Sequence, residues 1–234
     1  MGEKSGRKKE FIIEKARDVF ARKGFLTVTM KDIVEECGIS RGGLYLYFED
    51  TGSLFLEVLR KERESDGGEE IESGDTSVEM LSAFLREQKK EILGVKESLI
   101  GAIYEYCFYL TRPQETKKEA AVPGEDPTEE NRQDEESLEK SSENFLSEEN
   151  NRFHMSVKVL CSLIRAGIRE GYLDCEKPLQ EAYNIMFAIE GLKICAVSTG
   201  VTEEEVTDEI NYLFSHLFIR EEIDEDEDDA EDEE

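Results

Sequence analysis

Residues 27–55 read TVTMKDIVEECGISRGGLYLYFEDTGSLF and predict two short helices joined by a glycine-centred turn. Apolar side chains recur three or four positions apart through the first half, which gives a single helical face. These are Met30, Ile33, Val34 and Cys37. The second helix continues through Leu44, Tyr45 and Phe48.

Capping residues mark where each helix begins and ends. Thr29 precedes the first helix, and Asp32 stands three residues later, which is the spacing of a reciprocal cap. Gly38 suits the left-handed residue that ends a helix, and Ser40 suits the cap of the next one. Two capped helices around a glycine turn form the helix-turn-helix pattern.

The wider segment GFLTVTMKDIVEECGISRGGLYLYFEDTGSLF resembles the DNA-binding signature of TetR-family transcriptional repressors, over roughly residues 8–56. The positions that carry the resemblance are Gly24, Phe25, Thr29, Ile33, Gly38, Ser40, Leu44, Tyr45, Tyr47 and Phe48. The family usually has a phosphate-binding Lys three residues after the Phe, and this chain has Thr51 there. A threonine hydroxyl still donates to phosphate, but the charge is lost.

The resemblance implies a set of DNA-binding residues. They are Thr29, Lys31, Ser40, Arg41, Gly42, Gly43, Tyr45, Tyr47 and Thr51. Arg41 is the best candidate for gripping a guanine, although a guanidinium also binds phosphate. Tyr45 and Tyr47 either donate to phosphates or pack half-buried. The paired glycines either admit the DNA backbone or ease a helix crossing.

Charge is distributed unevenly along the chain. The net charge is −28, yet residues 1–48 hold ten Lys or Arg against seven acidic residues. Residues 221–234 hold twelve acids in fourteen positions. This asymmetry orients the N-terminal end toward DNA. Arg7, Lys8 and Lys9 form a basic arm, which either frays in solvent or contacts the DNA backbone.

The remaining pattern predicts an all-α chain of about nine helices, since no strand-like alternation is convincing. We expect a helix-turn-helix domain at 1–52, a helical ligand-binding and dimerisation domain at 53–220, and an acidic tail at 221–234. Within the larger domain, 113–142 is expected to be a mobile acidic loop. The tail either solvates the protein or competes with DNA for the basic end.

The two C-terminal helices are predicted to form a homodimer interface. Each has two apolar rows, which indicates burial on two sides. The proposed contact region comprises Ala182, Ile185, Met186, Ile189, Leu213 and Leu217. The family dimerises through such helices, which implies a two-fold reader and a palindromic operator.

The resemblance also implies a cavity for a small hydrophobic or amphipathic effector between the central helices. Its candidate lining residues are Phe84, Tyr104, Phe108 and Phe187. For any one of them, packing in the core is the simpler role. No cofactor is expected.

Enzyme and metal chemistry find little support in the sequence. The two histidines are far apart, and no nucleophile elbow, phosphate loop or metal-ligand cluster is present. The five cysteines form no CxxC pair, which favours buried small side chains over a redox switch. No signal peptide or apolar run of roughly 18–20 residues occurs, so a cytoplasmic protein is expected.

These patterns together predict a ligand-responsive transcriptional regulator, a repressor that a small-molecule inducer releases from its operator. The alternative is a protein that keeps the fold with weakened DNA binding and whose acidic surface recruits a basic partner.

Overall fold

A computed structural model describes residues 2–65, 76–112 and 129–218 of the chain. The expected all-α fold is confirmed, because the described residues form nine α-helices and no strand. The first four are α1 (Gly2–Lys23), α2 (Met30–Cys37), α3 (Arg41–Tyr45) and α4 (Thr51–Ser65). The others are α5 (Ser77–Leu93), α6 (Ile100–Thr111), α7 (Glu129–Glu170), α8 (Pro178–Ser198) and α9 (Glu203–Ser215), with a 3₁₀ turn at Val95–Glu97 before α6.

Several predicted boundaries are wrong. The segment expected as a basic arm lies inside α1, and α3 ends at Tyr45 rather than continuing through Phe48. Residues 129–142, expected as part of a mobile loop, belong to α7. That stretch is rich in Glu and other strong helix formers, so it continues the helix although Leu138 is its only apolar residue. The rest of the expected loop and the acidic tail lie outside the described residues.

The same capping device starts three of the helices. A threonine hydroxyl accepts a hydrogen bond from the backbone N–H three residues later, and the carboxylate at that position accepts one from the threonine N–H. The pairs are Thr29 with Asp32, Thr76 with Glu79, and Thr202 with Glu205. Local sequence therefore fixes the starts of α2, α5 and α9.

One hydrophobic core joins the helix-turn-helix unit (α1–α4) to α6 and α7. Phe25 and Phe55 come from this unit, while Tyr106 comes from α6 and Phe145 from α7. The Tyr106 ring lies 4.6 Å from the Phe25 ring and 5.3 Å from the Phe55 ring, centroid to centroid. The core thus crosses the domain boundary predicted at residue 52.

A second core lies among α5, α7, α8 and α9, and it corrects the predicted dimer contacts. Most of the residues proposed for the interface are buried inside the subunit: Ala182, Ile185, Met186, Ile189 and Leu217 are at most 2% exposed. Leu213 packs partly buried against the same cluster. Those side chains face α5 and α7, so they are unavailable to a partner.

The opposite sides of α8 and α9 remain apolar and exposed. Phe187 and Ile194 of α8 are 61% and 46% exposed, and Tyr212 of α9 is 73% exposed. A Cβ on Gly191, between the two α8 residues, would meet nothing within 4 Å. We call this surface the outer face of α8 and α9.

The four residues predicted to line an effector cavity differ in burial. Phe84 is buried in the second core, Tyr104 is half-buried, and Phe108 and Phe187 are exposed. A shared pocket for these side chains stays a prediction. Within the described ranges, every helix is too short or too polar to span a lipid bilayer.

A contact from α6 fixes the turn between α1 and α2. The Glu105 carboxylate accepts a hydrogen bond of 2.8 Å from the Leu26 backbone N–H. Gly24 opens this turn with a φ of 75°, and a Cβ there would lie 2.5 Å from the Glu105 carboxylate oxygens. Glycine therefore suits the backbone conformation of this turn, and it lets the Glu105 carboxylate lie against the turn.

We expect Gly24→Ala to destabilise the fold more than Gly171→Ala. Gly171 has a φ of 81° with open space around its Cβ position, so alanine there adds backbone strain alone, about 1–2 kcal/mol. Alanine at Gly24 in addition displaces the Glu105 carboxylate from its hydrogen bond with the Leu26 N–H, which costs about 1 kcal/mol more. Denaturant unfolding of both variants measures the difference. Equal destabilisation would contradict this interpretation, and adding Glu105→Ala should remove the excess.

Candidate nucleic-acid interface

The turn between α2 and α3 has the predicted helix-turn-helix geometry. Gly38 ends α2 with a φ of 63°, and its N–H donates to the Glu35 carbonyl at 3.3 Å. Ser40 begins α3, and its hydroxyl oxygen accepts from the Gly43 N–H at 3.2 Å. The turn is thus closed by backbone hydrogen bonds and a side-chain cap.

Burial decides which face of α3 is free. Leu44 and Phe48 are 0% and 3% exposed and lie in the same hydrophobic core as the buried Ile33 of α2. Arg41 and Gly42 are exposed at its start, as is Tyr45 at its end. The N-terminal half of α3 therefore presents an accessible surface, which is the part of a recognition helix that meets base edges.

A cleft of about 530 Å³ brings several predicted site residues together beside α3. It gathers five of the nine predicted DNA-binding residues: Thr29, Lys31, Arg41, Tyr45 and Thr51. Ser40 and Gly43 lie in the cap of α3 instead. Tyr47 is half-buried, and its hydroxyl oxygen accepts a hydrogen bond from Ser5 at 3.3 Å.

The Arg41 guanidinium stacks on the Tyr45 ring, with Cζ 5.5 Å from the ring centroid. Cation–π contacts of this kind hold the guanidinium plane while leaving its N–H edge free to donate. The arrangement presents a pre-oriented fork of donors on the exposed side of α3.

The two glycines of α3 have different surroundings. A Cβ on Gly42 would meet nothing within 4 Å, so this position is open on the exposed side. A Cβ on Gly43 would lie 3.1 Å from the Ser40 hydroxyl oxygen. Gly43 is explained by packing around the cap, whereas Gly42 leaves room for a surface that approaches α3.

Thr29 acts first as a helix cap. Its hydroxyl donates to the Asp32 carboxylate at 2.5 Å and accepts from the Asp32 N–H at 3.3 Å. The Lys23 ammonium, followed by the Thr29 hydroxyl and N–H, holds the pKa of Asp32 well below its usual range. Asp32 therefore stays ionised and keeps the start of α2 fixed; a phosphate contact from Thr29 stays a prediction.

Lys8 reaches α3 from another helix. Its ammonium lies 3.6 Å from where a Cβ on Gly43 would be placed, beside the Ser40 cap. Among the described side chains, no carboxylate forms an ion pair with it. Its neighbour Lys9 is bound to Glu57 at 3.1 Å and lies over the Phe48 ring. The sequence shows only that both residues are basic. The fold shows that Lys8 lies beside α3 whereas Lys9 is paired with Glu57.

Acidic residues border the cleft where the family usually has its lysine. Glu49 and Asp50 line it just before Thr51, which is the first residue of α4. Asp50 caps α4 by accepting from the Ser53 N–H at 2.7 Å. Cations on this side of the molecule therefore come from α1, α2 and α3.

Cysteine and histidine side chains show no metal-binding arrangement in the part of the chain that the structure describes. His154 Nδ1 lies 3.1 Å from the Tyr183 hydroxyl. Burial raises the pKa of the Cys107 thiol to about 11, so this thiol stays protonated and poorly nucleophilic.

Residues 12–58 match the family model described as bacterial regulatory proteins, tetR family. The uncharacterized HTH-type transcriptional regulator YfiR of Bacillus subtilis is 36% identical over 113 residues, which are 46% of this chain and 53% of YfiR. The HTH-type transcriptional repressor KstR2 of Rhodococcus jostii is 39% identical over 57 residues, 24% of this chain and 28% of KstR2.

The chain thus spans about half the length of YfiR and less of KstR2. A TetR transcription regulator from Haloarcula marismortui superposes on it with a TM-score of 0.63 at 16% identity, covering 92% of this chain and all of that structure. At that identity the likeness shows the fold alone. Residues 12–58 thus match the DNA-binding segment of the tetR family of bacterial regulatory proteins, and the described helices share the fold of a TetR regulator.

Proposed function

We propose that this protein is a DNA-binding transcriptional regulator that places α3 in the major groove of an operator. The observation that carries the proposal is the exposed start of α3, where Arg41 is stacked on Tyr45 and Gly42 leaves open space. A guanidinium held in this way matches the O6 and N7 acceptors of guanine. Lys8 and Lys31 flank it as candidate phosphate contacts.

The proposal of repression rather than activation is supported by a relative. KstR2 is described as a repressor, and a regulator bound over a promoter excludes other proteins from it. We propose repression that a small-molecule effector relieves. The effector binds the helices beyond α4 and favours a conformation with different spacing between the two reading helices.

Replacing Arg41 with Ala tests the proposed reading residue. We expect operator affinity to fall by about tenfold or more, since one bidentate base contact contributes about 1–3 kcal/mol of discrimination. The measurement is a gel shift with DNA upstream of the protein's own gene. Arg152→Ala changes an exposed residue of α7 and is the matched control. Unchanged affinity in Arg41→Ala would refute this role.

Replacing Lys8 with Met tests the ammonium beside α3. We expect weaker binding to every DNA sequence and a salt dependence that is shallower by about 0.9 in the log–log slope, because one phosphate contact is lost. Fluorescence anisotropy at several salt concentrations measures both. Lys8→Arg should restore the slope, and the exposed Lys158→Met should leave it unchanged. An unaltered slope in Lys8→Met would contradict the assignment.

We propose that two copies of the chain pair through the outer face of α8 and α9. Phe187, Ile194 and Tyr212 are large apolar side chains that remain exposed there, and Gly191 permits close approach. Clustered exposed apolar residues of this kind mark interaction surfaces. The pairing keeps the homodimer prediction while replacing the residues first assigned to it.

Replacing Phe187 with Asp should give a folded monomer, because the side chain is largely exposed yet central to the proposed contact. Sedimentation velocity at micromolar concentration measures the state, and operator affinity should fall with it. Tyr172→Asp changes an exposed aromatic residue that precedes α8 and should stay dimeric. A Phe187→Asp dimer would exclude this interface.

A second candidate function is an interaction protein with weakened DNA binding. The observation that favours it is the acidic border of the cleft, where Glu49 and Asp50 stand beside Thr51 instead of a lysine. Folded dimer that binds no upstream DNA fragment at low salt would support this alternative over the operator-binding function.

A further inference from the structure

An unusual polar cluster lies where α5, α6 and α8 meet. Lys193 occupies the core-facing row of α8 together with Ile189 and Ala196, and it is 8% exposed. Its ammonium contacts the Glu91 carboxylate of α5 at 2.8 Å and the Glu190 carboxylate at 3.3 Å. A lysine buried to this degree is expensive unless it is fully paired.

The α6 helix adds a phenol to this cluster. The Tyr104 hydroxyl donates to the Glu190 carboxylate at 2.6 Å. Burial, followed by that hydrogen bond and the nearby charges of Glu190 and Glu91, raises the pKa of Tyr104 well above its ordinary value. The phenol therefore remains a neutral donor, so two carboxylates surround a single ammonium.

Gln88 of α5 leaves an acceptor without a partner about one helical turn from Glu91. It stands three residues before Glu91 on α5, which makes the two side chains neighbours on the helix surface. Gln88 is 8% exposed, and its Oε1 has no hydrogen-bond partner in the structure. An unsatisfied buried acceptor costs about 1–3 kcal/mol, so it calls for an explanation.

The cluster has two carboxylates for one ammonium, and the carboxylates are partly exposed to solvent. Acceptors exceed donors, and negative charge exceeds positive. The Glu91 and Glu190 side chains are 40% and 31% exposed, so this edge is open while Lys193 and Gln88 lie deeper.

We propose that the effector site of this regulator lies at Gln88, Glu91, Tyr104, Glu190 and Lys193, and that it takes a small organic cation with N–H donors, such as a primary amine. The inference rests on the proposed function and names the effector class for it. The ligand's ammonium donates to the Gln88 Oε1 and shares the two carboxylates with Lys193.

Helix α6 connects this proposed site to the helix-turn-helix unit. Tyr104 is followed by Glu105, whose carboxylate accepts from the Leu26 N–H in the turn before α2. A ligand that draws Glu190 from Tyr104 changes the support of α6 one residue from that contact. Effector binding and operator binding are thereby coupled through one helix.

Isothermal titration of the full chain with three probes of equal length tests the effector class. They are n-butylammonium, 1-butanol and butyrate, and the first matches the end of a lysine side chain. We expect the cation to bind at least tenfold more tightly than the neutral or anionic probe. Equal binding of all three, or no binding of the cation, would overturn the proposal.

Replacing Gln88 with Met separates a ligand role from a structural one. Removing the unpartnered acceptor should raise the unfolding midpoint by about 2–4 °C. Butylammonium affinity should fall about tenfold in the same variant. A gain in stability with unchanged affinity would refute the ligand role. Gln180→Met, an exposed position of α8, should change neither quantity.

A gel shift on the same preparation distinguishes failure of this proposal from failure of the proposed function. Butylammonium, but not sodium chloride of equal concentration, should weaken operator binding. Operator binding that is intact and insensitive to the amine would refute the effector class alone. Folded protein that binds no upstream DNA would refute the operator-binding function instead.

Discussion

The buried ring of Tyr106 is the contact on which the DNA-binding end depends. It is 1% exposed and lies against Phe25, Phe55 and Phe145, which come from the α1–α2 turn, α4 and α7. Aromatic rings packed in tilted and edge-on pairs contribute more than their buried area alone. The helix-turn-helix unit is therefore incomplete without α6 and α7, and its orientation is tied to theirs.

Three consecutive residues of α6 contact three different parts of the molecule. Tyr104 binds Glu190 of α8, Glu105 binds the Leu26 N–H, and Tyr106 fills the first core. Successive side chains of an α-helix point about 100° apart, so these three residues face three different neighbouring elements. A small displacement of α6 must alter all three contacts together, which is the property expected of an element with two discrete arrangements.

Sequence reasoning succeeded where the determinants are local. The caps of Thr29 and Ser40 and the glycine turn at Gly38 depend on residues within four positions, and the structure has them as predicted. The predicted dimer contacts on α8 were wrong, because its two apolar rows look alike in sequence. Only packing against α5 and α7 determines which row is buried inside the subunit. The predicted effector residues likewise differ in burial in a way that periodicity does not indicate, since Phe84 is buried while Phe108 and Phe187 are exposed.

Long-range contacts explain what could not be predicted at the candidate site. Lys8 and Gly43 are 35 positions apart, and nothing in either segment indicates that they meet. Their proximity places the Lys8 ammonium of α1 at the start of α3. This cation offsets the positive charge that is lost because Thr51 stands where the family usually has a lysine. Phosphate attraction depends on where charge is placed in space, not on which helix supplies it. An acidic protein can therefore keep a DNA-binding surface if a few cations converge on one exposed helix, and here they come from three helices.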